Sequence, residues 1–189
     1  AFAGHNTLRD KVMGKDFRRH ATADEITRMQ QLLRQELASG AIGLSTGLEY
    51  DPGIQSDPAE VLALAQLAAD SGTRYMSHVR SEDRWFLEAI DEIINIGRVT
   101  GMPVQVSHVK LAMKSLWGQA PQLLEKLDAA LVREESFDVA YAGICHPRAL
   151  FGIEEDAHRS GNAFGNLRLH GELVFYRAIV GLRPKVKPV

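Results

Sequence analysis

The feature that most constrains the fold of this chain is a regular alternation of short apolar runs with segments of helical periodicity. The apolar runs at residues 41–45, 74–78 and 103–108 predict buried strands. Helices are predicted between them, over about residues 57–71 and 82–98, with one more before the first strand and one after the last. Strands that alternate with long helices are typical of a parallel sheet. The sequence therefore predicts an α/β fold.

Two of these helices begin with the pattern of a capping box, in which an acid follows the capping residue by three positions. Thr22 with Glu25 forms the pattern at the first helix. Asp57 with Glu60 forms it at the second, where Pro58 suits the first turn. Each acid is expected to bond back to the backbone of its capping residue.

The alternation of strands and helices is clear up to about residue 135 and weakens afterwards. Residues 137–141 have the composition of one more strand, and polar, glycine-containing sequence follows them. We therefore divide the chain into residues 1–135, an α/β unit, and residues 136–189, a divergent C-terminal segment whose structure the sequence leaves open.

The composition argues against several classes of function. The 189 residues are 45% hydrophobic and 24% charged, and the formal net charge of −2 disfavours nucleic acid or an anionic membrane as the main partner. Cys145 is the single cysteine, which excludes an intrachain disulfide and indicates a reducing, cytoplasmic setting. We expect no signal peptide and no membrane span, because no run approaches the roughly 18 apolar residues that a span needs.

Two histidines lie at the ends of neighbouring predicted strands. His78 ends the run YMSHVR and His108 ends VQVSHVK, and each is preceded by serine and followed by valine and a basic residue. In parallel α/β folds, ligand-binding groups project from the carboxyl ends of the strands. Two imidazoles that converge at this edge are half of a zinc site. The alternative is two unrelated polar residues that close their strands.

Other polar residues lie on the same predicted edge. Arg80 and Lys110 each follow a strand-end histidine by two positions, where they could bind a substrate carboxylate or remain solvated loop cations. Tyr50 lies on the loop after the first strand, where its hydroxyl could contact a ligand or its ring could simply pack. Glu82 belongs to a segment, SED, that is expected to cap the next helix rather than take part in catalysis.

Further residues with ligand chemistry lack a partner at ligand spacing. Cys145, His146 and His158 fall where no regular structure is predicted, and a free cysteine is usually a buried, small apolar residue. His5, His20 and His170 are interpreted as structural or surface residues. No glycine-rich phosphate-binding motif is present.

The motifs of residues 1–133 resemble those of one enzyme family, in the same order along the chain. They are GHNTLR at 4–9 with VMG at 12–14, GAIGLSTGLEYDPG at 40–53, SHVRSE at 77–82, IGR at 96–98, PVQVSHVK at 103–110 and WG at 117–118. By these motifs the chain resembles the N-acyl-D-amino-acid deacylases (D-aminoacylases) of the amidohydrolase superfamily.

The resemblance implies a TIM-type (β/α) barrel of the metal-dependent hydrolase type, with residues 1–135 as its central portion. It implies a zinc-dependent hydrolysis of N-acyl-D-amino acids to the D-amino acid and a carboxylate, with a carboxylate as the base. By the same resemblance His78 and His108 bind zinc, Tyr50 and Lys110 contact the substrate, and Arg80 lies beside them. No catalytic residue is assigned.

The chain also departs from the family pattern. The strand that ends in His-x-His, the cysteine ligand and the Ser-Asp-Gly aspartate of the family have no match, and HPRA at 146–149 occurs too early to stand for the stretch that follows that aspartate. We therefore expect a fragment or an internally deleted copy, with an incomplete site and poor catalysis. The alternatives are another amidohydrolase, such as a cyclic amidase, and a non-catalytic barrel fragment or binding scaffold. Side-chain preference and oligomeric state stay open.

Overall fold

The computed structural model describes residues 1–109, 111–133 and 137–139. Strands and helices alternate along these residues, except that two helices follow the first strand, and short 3-10 turns occur at Gly14–Asp16, Gly53–Gln55 and Lys114–Gln119. In chain order the elements are β1 (Ala3–Gly4), α1 (His5–Met13), α2 (Ala23–Ala38), β2 (Gly43–Gly47), α3 (Pro58–Asp70), β3 (Arg74–His78), α4 (Phe86–Thr100), β4 (Val104–Val106), α5 (Ala120–Arg133) and β5 (Phe137–Val139).

The five strands form one parallel sheet, and their order across the sheet is their order along the chain. Connections between parallel strands are right-handed in about 98% of cases, so a sheet with this order carries its helices on one face. In agreement, α1 packs on α2, α2 on α3 and α3 on α4. The α/β fold with a parallel sheet, predicted from the alternation, is confirmed.

The two faces of the sheet differ in burial. On β3, Tyr75 and Ser77 are buried on one face, whereas Met76 and His78 on the opposite face are only partly buried. Tyr75 belongs to a core that includes helix residues such as Leu64. The face of Tyr75 is therefore the one covered by helices, and His78 projects from the uncovered face at the carboxyl end of its strand.

The two predicted capping boxes have different outcomes. Thr22 and Glu25 form the complete box at the start of α2. Asp57 caps α3 by accepting a hydrogen bond from the Ala59 amide at 2.8 Å, but the role predicted for Glu60 is wrong. The Glu60 side chain is fully buried and pairs with Arg9 of α1, because an acid inside the protein is stabilised by a cation rather than by a single backbone amide.

Several boundaries differ from the predicted ones. The first predicted strand begins at Gly43 rather than at residue 41, and β4 ends at Val106, which leaves His108 on the loop that follows. The helix predicted from about residue 82 begins at Phe86. The two-residue strand β1 and the helix α1 precede the predicted elements. None of the helices in the described part of the chain is long and apolar enough to span a membrane.

Candidate metal centre

The two strand-end histidines lie side by side. His78 is the last residue of β3 and His108 follows the end of the neighbouring strand β4. His78 Nδ1 is 2.8 Å from His108 Nε2, and the ring centroids are 4.6 Å apart at an interplanar angle of 73°. The parallel pairing of β3 with β4 brings the two rings together, as the sequence predicted from their positions.

Glu82 brings a carboxylate to the same place. Its Oε1 lies 2.5 Å from His108 Nδ1 and 4.0 Å from His78 Nδ1, and its side chain is almost fully buried, at 6% exposure. Each of His78, Glu82 and His108 offers one ligand atom within 4.8 Å of the others. Imidazole nitrogens and carboxylate oxygens are ligands that zinc takes in proteins. The three residues therefore fit a zinc ion by the chemistry of their donors.

The helix-capping role expected of the SED segment is wrong, because α4 has Trp85 at its N-cap position and no side-chain cap hydrogen bond. Ser81 instead closes the turn that precedes the helix. Its Oγ accepts hydrogen bonds from the Asp83 and Trp85 amides, both at 3.3 Å, and donates to Asp83 Oδ1 at 2.6 Å. This tight turn delays the start of α4 to Phe86. The carboxylate of Glu82 is thereby left to face the histidines.

Glu49 is a member of the site that sequence reasoning missed. Its Oε2 is 2.9 Å from His78 Nε2, and its Oε1 accepts a hydrogen bond from the Glu82 amide at 2.9 Å. Only its position in the sequence could have indicated this role. Glu49 follows the end of β2 by two residues and lies at the edge of the sheet from which His78 projects. An acid in a loop is common, so position alone did not distinguish Glu49.

Tyr50 lies beside the histidine pair, at the rim. Its ring centroid is 5.1 Å from that of His78, and the residue is 53% exposed. The Tyr50 hydroxyl rests against Gly47, where a Cβ atom would come within 2.2 Å of the oxygen. A side chain at position 47 would thus displace the tyrosine from its place above the site.

Arg80 is engaged within the protein. Its guanidinium forms a two-pronged pair with Glu92 of α4, with Nε and Nη2 each 2.8 Å from a carboxylate oxygen, and donates from Nη1 to the Ser56 carbonyl at 3.0 Å. Burial lowers the pKa of Arg80, but the hydrogen bonds and charge of Glu92 outweigh burial and raise it. Arg80 braces the end of β3 against α4, and its contact with substrate stays a prediction.

A buried chain of hydroxyls supports the backbone of His78. The Tyr75 hydroxyl lies 2.8 Å from Thr46 Oγ1, Thr46 donates to Ser77 Oγ at 2.8 Å, and Ser77 donates to the His78 carbonyl at 2.9 Å. Burial raises the pKa of Tyr75 to about 12. The tyrosine therefore stays protonated and acts as the first donor of the chain.

The remaining candidates fall outside the described residues. Lys110, predicted to contact a substrate carboxylate, is one of them. Cys145, His146 and His158 are also among them.

Comparison with known proteins finds relatives over part of the chain. No family model matches. A D-aminoacylase of Alcaligenes xylosoxydans xylosoxydans is 36% identical over 132 residues, which are 70% of this chain and 27% of that protein. An N-acyl-D-glutamate deacylase of the same organism is 38% identical over 140 residues, 74% of this chain and 28% of that protein. The chain thus spans little more than a quarter of the length of these relatives.

Solved structures of D-aminoacylases and related deacylases also match this chain over part of their length. A D-aminoacylase with a binuclear metal centre superposes with a TM-score of 0.70 at 36% identity, over 74% of this chain and 29% of that one. An N-acyl-D-glutamate deacylase from Bordetella bronchiseptica, complexed with zinc and a phosphonate inhibitor, also gives a TM-score of 0.70 at 36% identity, over 75% of this chain and 30% of that one.

Proposed function

Because this chain is a relative of the N-acyl-D-amino-acid deacylases over part of their length, we propose that it carries zinc ligands of a hydrolase that cleaves the amide bond of N-acyl-D-amino acids. The products are a D-amino acid and a carboxylate. The observation that carries the proposal is the convergence of His78, His108 and Glu82 at the carboxyl ends of neighbouring strands.

The contacts of the described residues support the roles proposed here, and the role of Lys110 rests on the resemblance of the sequence alone. His78, His108 and Glu82 would hold the metal, and Glu82 would add a third ligand to the two that the sequence predicted. A bound zinc ion lowers the pKa of its water and polarises the amide carbonyl. Tyr50, beside His78 and open to solvent, offers its hydroxyl to the substrate. Arg80 and Lys110 are proposed to contact the substrate as well, Arg80 with donors that do not face Glu92.

We propose further that residues 1–135 are the central portion of a TIM-type (β/α) barrel. Three features support a barrel: the strand order equals the chain order, consecutive helices pack on one another, and one sheet face is only partly buried. In such a barrel the partly buried face lines the interior and the strand ends carry the site.

A cytoplasmic location also stays a prediction.

The test compares zinc content and hydrolysis in three proteins. They are the unaltered chain, the double variant His78→Ala with His108→Ala, and His20→Ala, which removes an exposed histidine. We expect stoichiometric zinc by mass spectrometry in the unaltered chain and in His20→Ala, and its loss in the double variant. Equal trace zinc in all three would overturn the metal site.

The substrate class is tested on zinc-loaded chain at high protein concentration. We expect release of D-amino acid from N-acetyl-D-amino acids, slow because the chain spans only part of its relatives' length, and none from N-acetyl-L-amino acids. Hydrolysis of cyclic amides instead would point to a cyclic amidase. Bound zinc with no hydrolysis of either class would overturn the activity of this chain and leave a metal-binding scaffold.

A further inference from the structure

We propose that Glu49 is a positioning residue, which fixes the ring of His78 so that its Nδ1 atom, and not its Nε2 atom, faces His108. The inference rests on the proposed zinc site and names a residue that sets its geometry. Glu49 acts through its contact with the far nitrogen of the ring.

The tautomer of His78 follows from the contact at Nε2. A carboxylate only accepts hydrogen bonds, so the nitrogen that lies 2.9 Å from Glu49 Oε2 must be the one that carries the ring proton. In the neutral imidazole, a proton on Nε2 leaves a lone pair on Nδ1. That Nδ1 is the atom that lies 2.8 Å from His108 Nε2. Glu49 therefore selects the tautomer whose lone pair points towards the second histidine.

The second oxygen of Glu49 contacts another member of the site. Its Oε1 accepts a hydrogen bond from the Glu82 amide at 2.9 Å, so one carboxylate spans the loop after β2 and the loop after β3. With both oxygens engaged, the carboxylate cannot rotate without breaking one of the two bonds. Glu49 thus fixes the ring of His78 and the backbone of Glu82 in one arrangement.

Burial and chemistry agree with this role. The side chain of Glu49 is 30% exposed and that of His78 is 16% exposed, so water competes only partly for the bond between them. A histidine that binds a metal commonly donates its other nitrogen to a carboxylate or carbonyl, and loss of that partner typically lowers metal affinity about 10–100-fold. Glu49 is placed as such a partner.

The experiment uses the full chain and three variants. Glu49→Leu removes both acceptors, Glu49→Gln keeps one oxygen that can accept from Nε2, and Glu88→Gln changes an exposed acid on α4 as the matched control. Zinc affinity is measured by competition with a chromogenic chelator. The His78 tautomer is read from long-range ¹⁵N–¹H NMR spectra of the zinc-free protein.

We expect the Kd for zinc to rise about 10–100-fold in Glu49→Leu, to rise less in Glu49→Gln, and to stay unchanged in Glu88→Gln. In the zinc-free unaltered chain, His78 should carry its proton on Nε2, and this preference should weaken in Glu49→Leu. Unchanged zinc affinity in a folded Glu49→Leu, or a His78 proton on Nδ1 in the unaltered chain, would overturn the inference.

The two proposals fail in different ways. An unaltered chain that binds no zinc contradicts the metal site, whereas one that binds zinc with the same affinity in every variant contradicts only the role of Glu49. Where Glu49→Leu does not fold, the tautomer of the unaltered chain decides, because it needs no variant.

Discussion

The carboxylate of Glu60 contacts the guanidinium of Arg9 inside the protein, with both side chains fully buried. The second oxygen of Glu60 lies 2.7 Å from His5 Nε2, and Arg9 also donates to the carbonyls of Phe17 and Arg19, at 2.9 Å and 2.8 Å. The cluster joins α1 and the segment after it to the first turn of α3. These contacts stabilise the fold.

Replacement of Glu60 by glutamine should destabilise the protein strongly. The change leaves the charge of Arg9 buried without its partner, and loss of one member of a buried ion pair costs about 3–5 kcal/mol. Urea unfolding monitored by circular dichroism measures the loss. Glu88→Gln, on the surface, should change the free energy of unfolding by no more than about 0.5 kcal/mol. Equal stability of both variants would contradict the structural role of the cluster.

The contribution of Glu60 should depend on pH. Burial raises the pKa of Glu60, but hydrogen bonds from His5 and Arg9 outweigh it and hold the pKa below its ordinary value. A carboxyl with a depressed pKa in the folded state stabilises fully above its unfolded pKa, about 4.3. The difference in unfolding free energy between the unaltered chain and Glu60→Gln should therefore be constant above about pH 5 and should shrink as the pH falls further. A difference in unfolding free energy that grows as the pH falls would contradict the depressed pKa of Glu60.

Glu82→Gln tests whether the carboxylate of Glu82 binds the metal directly. An amide is a poor zinc ligand, so we expect zinc affinity to fall by more than the roughly 100-fold upper figure for a residue that only supports a ligand. The visible spectrum of the Co²⁺-substituted chain should also change with the ligand set. A fall no greater than that of Glu49→Leu, with an unchanged Co²⁺ spectrum, would place Glu82 outside the ligands.

Tyr75→Phe should weaken the support beneath His78. The change removes the first donor of the buried hydroxyl chain and leaves Thr46 without that partner, which costs about 1–3 kcal/mol. Unfolding in urea measures the loss. Tyr50→Phe is the matched control, because Tyr50 is 53% exposed and should change stability by no more than about 0.5 kcal/mol. Equal effects of the two changes would show that the buried chain is not a stabilising feature.

Much of the fold and half of the site could be predicted from the sequence. The proximity of His78 and His108 could be predicted from the alternation of strands and helices, because His78 ends β3, His108 follows the end of β4, and these consecutive parallel strands are neighbours. The positions of Glu49 and Glu82 could not be predicted in this way. Both lie in loops, where no helical or strand periodicity indicates the direction of a side chain. The partner of Glu60 lies 51 residues earlier in the chain, at Arg9, so the local capping pattern gave the wrong role.

The match between strand order and chain order also bears on how the site assembles during folding. The contacts of His78 with His108 and with Glu49 join residues separated by only 30 and 29 positions in the chain. Closing a loop of about 30 residues costs less conformational entropy than closing one that spans most of the chain. The histidine pair and its carboxylates can therefore come together as soon as β2, β3 and β4 pair, before more distant parts of the chain have folded.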